Sequence, residues 1–187
     1  IVEHPEEVPS RTRAQEICFL PNLKDLLRRC NRLHDPLLSE GIVRIEVVFE
    51  NTGGWSRTGI GFADASCSFA TCKGPWDDGN RYNYVRYWGD NGNLQHITYT
   101  KENQKYADGQ RVAVEVDMTT VPRRATFFVD DIEQPNFVIG IPEAIRFLVY
   151  SYDESSSFTI TKFERLIQST AKGIEGSKAL EWGKEWK

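Results

Sequence analysis

Between Arg111 and Asp131, apolar and polar positions alternate, stop, and resume. Val112, Val114 and Val116 alternate with Ala113, Glu115 and Asp117; a polar break runs from Met118 to Arg124, and Ala125-Thr126-Phe127-Phe128-Val129 follows. Period two in β-branched and aromatic residues, interrupted by Thr119-Thr120-Val121-Pro122, predicts two antiparallel strands joined by a loop. The same rhythm recurs along the chain. Ile42 to Glu50 is a β-branched run closed by the turn residues Asn51 to Gly54. Ser56 to Ala63 follows, with Gly59 and Gly61 alternating with Ile60 and Phe62, which predicts a strand with close backbone approach or a bulge on one face. A strand through Tyr82–Tyr87 and another over Leu94–Thr100 flank Asn91-Gly92, a strong hairpin signal. Asn136 to Gly140, Ile145 to Tyr152 and Phe158 to Phe163 complete the series.

Eight or more short strands with turns between them predict an all-β sandwich rather than an α/β sheet. Helical spacing is confined to the ends. Leu23, Leu26, Leu27 and Cys30 predict a helix over 23–30 after Asn22, while Ala14 to Leu20 reads as a short strand stopped by Pro21. Ile1 to Ser10 reads as an extended arm, and Gln168 to Ser177 as a linker by composition. In the last residues Trp182 and Trp186 stand four apart, as on one face of a terminal helix. The expected division is therefore an extension packing on the sandwich (1–40), the sandwich (41–167), and a linker with a helix (168–187).

Composition narrows the functions. The 187 residues suffice for one core, and the chain opens at Ile1, which reads as a piece cut from a longer protein. A formal charge of −4 offers no cationic surplus for phosphate backbones or acidic bilayers, so neither nucleic acid nor a membrane is expected as partner. No run of eighteen apolar residues occurs, and no signal-peptide pattern opens the chain. Cys18, Cys30, Cys67 and Cys72 allow two disulfides or one zinc site in principle. Their spacing disfavours zinc, and buried free thiols are the expected state.

The order of these segments resembles the SPRY domain, the β-sandwich core of the B30.2 group, from about Gly41 to Phe163. Gly41-Ile42-Val43-Arg44-Ile45-Glu46-Val47 is similar to that family's opening strand, and Thr58-Gly59-Ile60-Gly61-Phe62-Ala63 to its glycine-bearing one. Tyr84 to Leu94 resembles its aromatic strand and glycine turn. Tyr106 to Asp117 resembles its F-x-x-G-D-x-I-G-V run followed by V-x-L-D, and Phe127 to Asp131 takes the place of F-x-x-N-G. The chain departs from the pattern at Gln110, where an acid is usual after the glycine, at Asp130-Asp131 in place of Asn-Gly, and at Arg146-Phe147, where proline is common. The resemblance implies a divergent two-sheet antiparallel sandwich of the concanavalin A-like jelly-roll kind and an intracellular setting.

Little in the sequence points to catalysis. His4, His34 and His96 are scattered, and no G-x-S-x-G frames a serine nucleophile. Glu115 and Asp117 share a strand face as in a glycosidase, but Thr119 stands where a third acid belongs, and both acids are expected on a solvated face. No enzyme activity, cofactor or metal is expected. The resemblance implies instead recognition of a peptide segment or folded partner by loops at one end of the sandwich. Trp55, Arg57, Trp76, Tyr84, Arg86 and Trp88 are the candidate anchors, since aromatic and arginine side chains dominate such contacts. A carbohydrate-binding lectin is the alternative, because aromatic loops also stack on sugars.

Overall fold

The computed structural model describes residues 37–53, 58–67, 79–100, 102–151 and 156–186, together with the backbone of 16–19. Thirteen strands are present among them. These are β1 (Glu16–Phe19), β2 (Ile42–Glu50), β3 (Gly59–Asp64), β4 (Tyr84–Trp88), β5 (Leu94–Gln95), β6 (Tyr99–Thr100) and β7 (Arg111–Asp117). They continue as β8 (Arg124–Val129), β9 (Ile132–Glu133), β10 (Asn136–Ile139), β11 (Ile145–Ser151), β12 (Ser157–Leu166) and β13 (Lys178–Glu181).

The strands form two sheets. One has the order β1-β11-β3-β4-β5-β6; the other runs β12-β2-β7-β8-β10-β13, with β9 paired to β8. All pairings are antiparallel except β10 with β13. The β7–β8 hairpin is central to the second sheet, with Val112 opposite Val129 and Asp117 opposite Arg124. Its far end turns back at Asp130 and Asp131, whose φ values of 49° and 65° are both left-handed. Short polar side chains tolerate that region better than β-branched ones, which is why an Asp pair can serve a two-residue turn.

Alternation decides what the sheets bury between them. Val43, Ile45, Val47 and Phe49 of β2 join Val112, Val114 and Val116 of β7, Ala125 and Phe127 of β8, and Ile60, Phe62, Val85, Tyr87 and Val149 from the facing sheet in one core cluster. A one-residue slip would turn this whole set outward, so the apolar face pins the register. Within the core Tyr87 meets Phe127 edge-on at 5.5 Å and Tyr106 at 5.2 Å. The Tyr106 hydroxyl donates to the Tyr87 carbonyl at 3.0 Å, so its polar end is satisfied.

Three expectations are corrected. The Leu94–Thr100 run is two short strands, because the chain turns at His96 to Thr98, where the His96 N–H donates to the Thr98 carbonyl. The terminal helix is replaced by strand β13. Asn136, Phe137, Val138 and Ile139 of β10 lie opposite Lys178, Ala179, Leu180 and Glu181, and the open backbone of that edge supplies the partners that a helix would have found internally. The Trp182 N–H then donates to the Ile139 carbonyl at 2.9 Å. The third correction concerns Glu115 and Asp117, which are buried rather than solvated. Asp117 accepts from the Thr119 N–H and hydroxyl at 2.8 and 2.6 Å, closing the turn that follows β7.

Residues 168–177, read as a linker, are tied to the outer face of the second sheet through carboxylates. Glu115 accepts from the Ser169 hydroxyl, the Thr170 N–H and the Thr170 hydroxyl. Glu133 accepts from the N–H groups of Lys172 and Gly173. Arg44 completes the arrangement, donating to Asp131 at 2.7 Å and to Thr170 at 3.2 Å, with its guanidinium 4.4 Å above the Phe128 ring. The helix expected over 23–30 lies outside the described residues.

Candidate interaction surface

The surface is built on the outer face of the first sheet. Because Ile60 and Phe62 of β3 point into the core, Gly59 and Gly61 occupy the opposite face, beside Trp88 and Arg86 of β4. A Cβ on Gly61 would lie 1.9 Å from the Val85 carbonyl oxygen, and one on Gly59 would lie 2.7 Å from the Arg86 side chain. The close approach expected from the glycine alternation is therefore real, and it leaves a trough over β3 that the Arg86 stem fills.

Above that trough the Arg86 guanidinium lies 3.8 Å from the Trp88 ring centre, 4.5 Å from that of Tyr150 and 5.6 Å from that of Tyr84. The first two distances fall well within cation–π range. Trp88 and Tyr150 meet edge-on at 5.7 Å. Gln95 on β5 ties the group together, since its side-chain oxygen accepts from Arg86 Nη2 at 3.0 Å and Trp88 Nε1 at 2.9 Å. Burial lowers the Arg86 pKa, opposed by the neighbouring Tyr84, and burial raises that of Tyr84, opposed by Arg86. The arginine remains a cation, as guanidinium does in proteins.

Of the six candidate anchors, Tyr84, Arg86 and Trp88 thus come together on one face. Their exposures are 0%, 1% and 7%, so they form the floor of this face and do not themselves offer contact area. Alternation in the sequence identified them as a group, but it cannot tell an outer face that is open from one that is covered. Trp55, Arg57 and Trp76 lie outside the described residues. Their loops leave the sheet from opposite ends of the six-residue β3, since 51–58 precedes Gly59 and 65–83 follows Asp64. At ~3.3 Å per residue the two roots are about 20 Å apart.

Sequence reasoning passed over the residues that are open beside this face. Tyr82 and Tyr99 are 54% and 56% exposed. Tyr99 on β6 is in register with Gln95, one strand out from Arg86, and Arg81 lies at the Tyr82 ring, 5.9 Å from its centre. The one available signal was the position of Tyr99 in the alternating run from Leu94, on the same side as Gln95.

On the other flank Ala63, Cys67, Tyr84 and Leu148 make a smaller apolar cluster. Cys67 is a buried free thiol whose pKa is pushed up to about 11 by burial, reinforced by Asp64 and opposed by Arg146. The side chains of Cys18, Cys30 and Cys72 are outside the described residues. Among the described residues no three His, Cys, Asp or Glu side chains gather as a metal site would require.

Two sheets, antiparallel but for the β10–β13 pairing, with one continuous core and loops at both ends define an all-β jelly-roll sandwich. No protein-family model matches the sequence, and no curated protein matches it. Among solved structures, the crystal structure of the SPRY domain of human HERC1 is similar, with a TM-score of 0.51 and 13% sequence identity over 71% of this chain and 80% of that one. The chain has the SPRY fold in a form highly divergent in sequence.

Proposed function

We propose that this chain is a non-enzymatic protein-interaction module that grips a peptide segment or folded partner along the β6 side of its first sheet. The observation that carries this reading is the pair of half-exposed tyrosines, Tyr82 and Tyr99, beside the buried stack of Tyr84, Arg86, Trp88 and Tyr150. Tyrosine and arginine on a rigid backing are favoured contact residues, because large amphipathic side chains are presented at small entropic cost. Arg81 adds a cation to the same rim. Trp55, Arg57 and Trp76 remain proposed contributors from the flanking loops. The SPRY fold supports the class of function and leaves the partner open.

The test places a photo-crosslinking amino acid at position 82, 99 or 121 in the chain expressed in cells. Val121, 99% exposed on the β7–β8 loop, is the control. A protein captured from 82 and 99 and not from 121, whose binding weakens about tenfold or more in Tyr82→Ala/Tyr99→Ala, agrees with the proposal. Equal capture at all three positions refutes it. Binding that free sugar competes away would instead establish the lectin alternative.

A further inference from the structure

His96 is fully buried, and both of its ring nitrogens are engaged. Nε2 faces the Gly183 N–H at 2.9 Å, so it must accept; Nδ1 therefore carries the proton and donates to the Tyr84 carbonyl at 2.7 Å. The ring is held between two tryptophans from the C-terminal segment, 4.5 Å from the Trp182 centre and 5.2 Å from that of Trp186. Trp182 in turn stacks on Phe62 of the core at 5.7 Å. Beyond it, Thr98 and Trp186 clasp each other: the Trp186 N–H donates to the Thr98 hydroxyl at 2.7 Å, and that hydroxyl donates to the Trp186 carbonyl at 2.8 Å. The last strand and its two tryptophans are thus fastened to the sandwich around a single imidazole.

We propose that residues 178–186 form a latch on the sandwich that protonation of His96 releases. A proton on Nε2 turns the acceptor for Gly183 into a donor facing a donor, and sets a charge in a site without solvent. Among the described residues the ring meets the Tyr84 carbonyl from β4 and Trp182, Gly183 and Trp186 from the latch, none of them charged. The charged side chains of the latch are exposed: Glu181 pairs with Lys184 at 2.7 Å and Lys178 with Glu102 at 3.4 Å, while Glu185 points outward as well. None compensates a cation at His96. Burial accordingly lowers the His96 pKa from 6.5, opposed by the bond to the Tyr84 backbone.

The sign follows from that direction. The open latch takes up a proton at the ordinary histidine value, whereas the closed latch resists it. Closure is fully favoured above about pH 6.5 and weakens as pH falls from there toward the lowered folded value, by up to about tenfold per pH unit. Release would bare the backbone edge of β10 and the Phe62 ring, and free the hairpin that carries Tyr99. The latch does not depend on which surface meets a partner.

The test is an NMR titration of the full chain. It follows the His96 ring resonances together with hydrogen-exchange protection of the Gly183, Trp186 and Val114 amides from about pH 7.5 to about pH 5. Protection at Gly183 and Trp186 should fall about tenfold or more in step with the His96 titration, while Val114 in the β7–β8 hairpin stays protected. In His96→Gln the dependence should vanish. Should that variant fail to fold, Thr98→Val removes the clasp and keeps the ring, so protection should drop at every pH with the same pH dependence. Protection at Gly183 and Trp186 that ignores the His96 titration, or that falls together with Val114, overturns the latch.

Discussion

The Glu115 carboxylate on β7 receives the Thr170 N–H at 2.9 Å across a sequence separation of 55 residues. Through that bond, and those from Ser169 and the Thr170 hydroxyl, one acid fastens the chain leaving β12 over the face of the second sheet. Glu115 is 2% exposed, and Arg44 lies beside it, bonded to the same Thr170. Ser169 and Thr170 are exposed, so removing the carboxylate returns their donors to water, and the loss is mainly the net contribution of the charge-assisted bonds. Glu115→Ala should lower stability by about 1.5–3 kcal/mol in urea unfolding. An effect within about 0.5 kcal/mol, the range of ordinary surface substitutions, would show that the strap is not held there.

The glycines of β3 separate packing from backbone freedom. A Cβ on Gly61 meets the Val85 carbonyl oxygen at 1.9 Å, and neither strand can give way without breaking the sheet. Gly61→Ala should therefore cost about 3 kcal/mol or more, or abolish folding, as overpacking at a rigid contact does. Gly109→Ala meets open space, and its penalty comes from a φ of +81° alone, about 1 kcal/mol. Thermal melts of the two variants should differ widely, and equal melting temperatures would contradict the close approach of β3 to β4.

Cys67 should be unreactive at neutral pH. Its thiol is buried, its pKa is raised to about 11, and its Sγ lies 3.4 Å from the Asn83 carbonyl. The thiolate is the nucleophile, so alkylation of Cys67 in the native protein should run at least about a hundredfold slower than for an ordinary thiol of pKa ~8.5. In denaturant it should recover the ordinary rate. Rapid native labelling of Cys67, followed by mass spectrometry of the peptide, would show the cluster with Tyr84 and Leu148 to be open.

The strands were legible wherever one face alternates with the other. Ile42 to Glu50 is β2 as the pattern bounds it, and Val112, Val114 and Val116 all face the core. Less legible was β13, because Lys178 to Glu181 shows no apolar alternation and becomes a strand only by pairing with the edge of β10. His96 stands in the sequence as one of three scattered histidines, and its partners come from Tyr84 and from Gly183, 87 residues away. No local spacing could announce a contact of that kind.

For the candidate surface the division is similar. The run through Tyr84, Arg86 and Trp88 specified that three large side chains share a face, since period two is a property of the extended backbone itself. That Arg86 lies over the Trp88 and Tyr150 rings, and that Tyr99 stays half exposed, depends on which strands adjoin β4 and β5. Local alternation and the burial of one face account for the all-β class, the central hairpin and the apolar core. Tertiary structure alone decided that Glu115 and Asp117 are inside, that the C-terminal segment is a strand with two anchored tryptophans, and where the first sheet remains open. Those outcomes turn on partners distant in the chain, and burial of a polar group is favourable only once such partners have been brought to it.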